Sequence, residues 1–135
     1  DGMTRIPAMH KGVVKAIFKD YLGKAVVIHH ENLSGEIARF ISLYKHITPR
    51  ADLEIDTLVQ EGDFLGTIAD TSSSKAKIIP HLHFSLGLAS PSLSYEGFVW
   101  NTIRKGDIIT LLNPLEVIEW PCEELESGHP ACLEI

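Results

Sequence analysis

The chain has 135 residues, 44% of them hydrophobic, and a net charge of −6. That length suits one domain with a core of useful size, and the acidic balance excludes a general nucleic-acid binder, which would carry a basic patch or stripe. No apolar run approaches the ~18 residues of a membrane span, and because the chain opens on Asp1 rather than Met, the lack of a signal peptide leaves its address open.

The predicted elements are mostly β. "GVVKAIF" (Gly12–Phe18) and "KAVVIHH" (Lys24–His30) are β-branched runs split by "KDYLGK", where Gly23 suits a turn. "NLSG" (Asn32–Gly35) predicts a second turn. "ARFISLYKHI" (Ala38–Ile47) predicts a long strand with Phe40, Ser42, Tyr44 and His46 on one face. A Pro-marked turn follows, then an extended piece at Asp56–Val59, the turn Glu61-Gly62-Asp63, and a strand at Phe64–Ala69. "TSSSKAK" (Thr71–Lys77) reads as an exposed loop. "PHLHFSL" (Pro80–Leu86) predicts a strand with His81, His83 and Ser85 on one face and Leu82, Phe84 and Leu86 in the core. Beyond it, "FVWNTIRKG" fits a short helix near 98–106 and nearly as well a strand, and "DIITLLNPLEVIEW" is apolar and interrupted by Asn113-Pro114. Many short strands punctuated by turns predict an all-β sandwich or barrel.

Seven histidines is a high count for this length, and His46, His81 and His83 stand where chemistry would use them. An H-x-H on a strand is a weak signal by itself, since many such residues are solvated or satisfied in a core. The physical case is that alternate residues project in parallel, so one imidazole can bind Zn²⁺ while the next reaches substrate. His29 and His30 read as hairpin-end residues. His129 reads as solvated, Trp100 and Trp120 as covers of core edges, and Tyr44 as a neighbour of His46 or a core filler. Cys122 and Cys132, ten apart in the tail, read as free thiols or a disulfide, with the disulfide favoured. A zinc site joining them to His129 lacks a fourth ligand.

Six stretches in order together resemble the lysostaphin/LytM-type zinc metallopeptidases. "TRIPAMHKGVV" (Thr4–Val14) is similar to T-P-V-x-A-x-x-x-G-x-V, and "DYLGKAVVIHH" to the Y-G-x-x-V-x-I-x-H hairpin. "SLYKHI" (Ser42–Ile47) matches Y-x-H-L with Ile47 for Leu, and "DTLVQEGDFLGTIADT" (Asp56–Thr71) resembles V-x-x-G-x-x-I-G-x-x-G. "PHLHFSL" matches P-H-L-H-F-E with Ser85 for the acid, and "LLNPLEVI" (Leu111–Ile118) resembles the closing N-P.

The resemblance implies a duplicated-hybrid-motif domain over 1–118, with an insertion at about 89–109 and a tail over 119–135. It implies a zinc endopeptidase of the bacterial cell envelope, periplasmic or extracellular, that cuts peptide cross-links of peptidoglycan. It makes His83 a zinc ligand and His81 and His46 the catalytic pair across the groove. The departure lies at the start. The family's H-x-x-x-D, which supplies two further ligands, precedes T-P-V, whereas no histidine here precedes His10 and Asp1 stands too close to Thr4. Either the motif lies upstream, in which case this chain alone is expected to be inactive, or the domain is a non-catalytic module that binds peptidoglycan or activates a partner hydrolase. A histidine phosphocarrier of related fold is disfavoured by the P-H-L-H-F and Y-x-H pattern.

Overall fold

A computed structural model describes residues 4–30, 39–98, 103 and 108–117. Eight antiparallel strands form one curled sheet: β1 (Arg5–Pro7), β2 (Gly12–Lys19), β3 (Lys24–His30), β4 (Arg39–Pro49), β5 (Leu58–Val59), β6 (Phe64–Ile68), β7 (His83–Ala89) and β8 (Ile109–Leu112). A four-residue helix, α1 (Pro114–Val117), follows β8. The Asn113 side-chain oxygen accepts the Leu115 N–H at 3.0 Å, so the Asn-Pro pair caps and starts that helix. The expected all-β class holds.

β3 is central. Val26, Val27 and Ile28 are all fully buried, as befits a strand covered on both faces. One core joins Val14, Val26, Ile28, Tyr44, Ile47, Val59 and Leu65, with Leu82 within it and Phe84 packed against it. The other joins Ala16, Val27, Ile41 and Leu43 to Ala89, Leu93, Phe98, Ile103 and Ile109. Successive residues of β3 thus feed opposite cores. Segments beyond β7 cover the second face.

β4 does not keep its alternation. Ile41 and Leu43 face the second core, yet Tyr44 and Ile47 both face the first, so the parity changes between them. The cause is His46, whose φ of 62° puts it in the left-handed region. Opposite it, Val26 pairs with Tyr44 and Lys24 with Ile47, leaving one extra residue on β4. The expectation that Tyr44 and His46 share a face is corrected by this bulge. Tyr44 packs on Phe84 at 5.2 Å between ring centroids instead.

The same point is a fork. One edge of β4 pairs with β7 from Arg39 to Lys45, and with β6 from Ile47 to Pro49. With that edge taken by β6 beyond His46, residues 80–82 find no strand to join, and Pro80 has no N–H to offer. The strand therefore begins at His83, not Pro80, and His81 precedes it. The piece read as Asp56–Val59 shortens to Leu58–Val59 because Asp56 takes a φ of 70°. The turn at 32–35, Trp100, Trp120, His129 and both cysteines lie outside the described residues, as does most of the 98–106 segment.

Candidate functional site

The site is assembled at the fork of β4. The turn Asp20–Gly23 closes with the Asp20 N–H donating to the Gly23 carbonyl at 3.1 Å. Gly23 has a φ of 60°, and a Cβ there would lie 2.5 Å from the Ile47 carbonyl oxygen, so only glycine lets this turn lie against β4. The turn buries the Asp20 carboxylate beneath the bulge. Its Oδ1 accepts the Tyr21 N–H at 2.8 Å and its Oδ2 the His46 N–H at 3.1 Å. Oδ2 also lies 2.8 Å from His46 Nδ1, off the ring's N–H direction. On the other side, the His46 carbonyl accepts the Ala69 N–H at 2.9 Å.

The structure brings the three predicted imidazoles together. The His46 ring lies 4.9 Å from that of His81 and 5.6 Å from that of His83, between centroids. His81 Nδ1 lies 2.8 Å from the Ile79 carbonyl oxygen. A carbonyl only accepts, so the neutral ring carries its proton on Nδ1 and leaves the lone pair on Nε2. His83 stands directly opposite Lys45 in the β4–β7 pairing. Partial burial lowers its pKa, with Lys45, His46 and His81 adding to the effect and Asp20 opposing it. Leu82 and Phe84 turn into the first core, as expected.

Two further residues belong here. Asp20 was read only as part of a turn. Lys45 was passed over, although alternation places it on the stripe of Ile41 and Leu43, where a lysine is out of character. It is 4% exposed, and burial pushes its pKa down to about 8 against the opposing pull of Asp20.

The other histidines gather elsewhere. His30 is buried at the Phe40 end of β4, with Nδ1 2.9 Å from the Lys11 carbonyl oxygen and Nε2 2.7 Å from Ser42 Oγ. Both nitrogens are spent, and burial lowers its pKa. His10 lies 5.9 Å from it, ring to ring, and the hydroxyl of Tyr44 accepts the Met9 N–H at 2.8 Å. This set pins the segment before β2 to the sheet. His29 lies 6.3 Å from Tyr95, on the side of the second core. His30 does end β3, and it is buried there.

Neutral imidazoles are the right donors for zinc, and a ring whose second nitrogen is tied to a carboxylate or carbonyl is the usual form of a ligating histidine. Yet no group of three His, Cys, Asp or Glu side chains converges to hold a metal among the described residues. The described residues do not make a self-sufficient zinc centre. What they make is a cluster of three imidazoles at the fork of β4.

Searches of curated proteins and of solved structures gave no match. Residues 2–93 match the family described as Peptidase family M23. That span holds the Asp20 turn, the bulge at His46 and the P-H-L-H-F run, and covers more than half of the sequence. The chain belongs to Peptidase family M23.

Proposed function

We propose that the domain is a zinc-dependent endopeptidase acting on the peptide cross-links of peptidoglycan in the cell envelope. The observation that carries this reading is the meeting of His46, His81 and His83 at the fork of β4, in a chain of a peptidase family. In it His83 is a zinc ligand, completed by donors from outside the described residues. Zinc, when bound, supplies a Lewis acid to the scissile carbonyl. His81, with Nδ1 held by Ile79, presents Nε2 as a base for the proton of the attacking water. His46 faces it across the groove and passes a proton to the departing amine, with Asp20 compensating positive charge on the ring.

A second reading is a non-catalytic module that holds peptidoglycan peptide or activates a partner hydrolase. The incomplete donor set among the described residues favours it. Zinc content and hydrolysis of cross-linked stem peptides, measured on this chain and on a form extended upstream, separate the two. Metal and cleavage in the extended form alone support the peptidase with upstream ligands. Absence of both in both forms supports the module. Tight stoichiometric zinc and turnover in this chain alone would show that the described donors suffice.

A further inference from the structure

Among the features the peptidase reading leaves unused, Lys45 stands nearest the chemistry. It is the last residue of β4 to pair with β7, and its partner is His83. Residues directly opposite in an antiparallel pair share a face, with Cβ atoms about 5 Å apart. The lysine is 4% exposed, so its charge is hardly screened by water. Its countercharge is the Asp20 carboxylate, which also holds His46. The floor of the site thus already contains a cation and an anion before any metal arrives.

We infer that Lys45 is a fixed cation built into the site floor that opposes loading of a divalent metal at His83. The inference rests on the assignment of His83 as the metal position. A lysine ammonium and a metal ion held by the side chain opposite it repel each other, and near a protein surface this is worth about tenfold or more in affinity. Asp20 relieves part of the repulsion, but its charge is shared with His46. Ligands that bring negative charge from outside the described residues would offset the rest, so that loading depends on a complete ligand set. The competing account makes Lys45 a structural counter-ion for Asp20 and nothing more.

The test is a titration of the chain with Zn²⁺, and with Co²⁺ as a spectroscopic probe. The proteins are the unsubstituted chain, Lys45→Met, Lys45→Arg, and Lys45→Met combined with His83→Ala. Lys45→Met removes the charge while keeping length and apolar contact, and Lys45→Gln takes its place if the methionine variant fails to fold by circular dichroism. The expected result is at least tenfold tighter metal binding by Lys45→Met, affinity near that of the unsubstituted chain for Lys45→Arg, and loss of the gain when His83 is removed. Unchanged or weaker binding by Lys45→Met overturns the inference and leaves the His83 assignment standing. A gain that survives His83→Ala overturns the placement at His83, and with it the ligand assignment of the peptidase reading.

Discussion

Two groups of histidines sit on the same pair of strands and meet opposite fates. At the Phe40 end of β4, His30 is 1% exposed with both ring nitrogens bonded, to Lys11 and to Ser42. At the far end, His81 has Nδ1 held by the Ile79 carbonyl, His46 has its backbone N–H held by Asp20 with the ring lying beside that carboxylate, and burial lowers the pKa of His83 beside them. The difference lies in how many nitrogens the fold uses. A ring with both spent is a brace; a ring with one spent is aimed. The bulge creates the second situation, because it breaks the strand pairing that would otherwise bury the ring.

The largest effect should come from the aimed group. His83→Ala in the zinc-loaded, upstream-extended protein is expected to lose both metal and cleavage, read by metal content after dialysis and by peptide hydrolysis. Metal retained at full stoichiometry would remove His83 from the ligand set. Asp20→Asn should come next. It leaves an oxygen for a backbone N–H but removes the charge beside His46, and a ten- to a hundredfold loss in kcat with little change in KM is expected, about what loss of a supporting partner costs. An unchanged kcat would mean that the bulge alone sets the ring.

The brace should respond in stability instead. His30→Ala leaves a cavity and strips Ser42 Oγ and the Lys11 carbonyl of a buried partner, which should cost about 2–4 kcal/mol in denaturant unfolding. Metal affinity should not move. If it does, the two groups are coupled and the comparison fails. A smaller effect is expected from pH. Burial lowers the pKa of His30 and of His83, so below the ordinary histidine value the unfolded chain takes up protons that the folded chain refuses. Stability should therefore be level above about pH 6.5 and fall as pH drops below it, chiefly through the buried His30, since water screens the exposed His83. His30→Gln, neutral throughout, should flatten part of that fall, and a slope unchanged in that variant would place the proton uptake elsewhere.

Much of this was legible in the residues. The runs Gly12–Phe18 and Lys24–His30 became β2 and β3 with bounds nearly as read, because β-branched residues bounded by turn residues leave little choice. The motif order placed His46, His81 and His83 in one site. What was not legible depends on pairing between strands. Nothing in "YKHI" announces that its histidine takes a φ of 62°, because a non-glycine bulge is imposed by its partners, here β6, β7 and the Asp20 turn. Without the bulge, alternation puts His46 on the same face as Tyr44, which the pairing with Lys24 and Val26 does not allow. Asp20 gains its role only from the closure of its turn on β4. Lys45 was the more readable omission, since a charge interrupting the Ile41, Leu43 stripe can be seen in the sequence.

The account stands most directly on His46 and His81 serving the reaction while the metal sits elsewhere. Peptide hydrolysis and bound zinc should be measured together on the upstream-extended protein and on its His46→Ala and His81→Ala variants, using cross-linked stem peptides and mass spectrometry of the products. The account predicts a loss of about a hundredfold or more in turnover for each variant, with zinc still bound. Near-normal turnover in either variant, or loss of zinc along with activity, would contradict it.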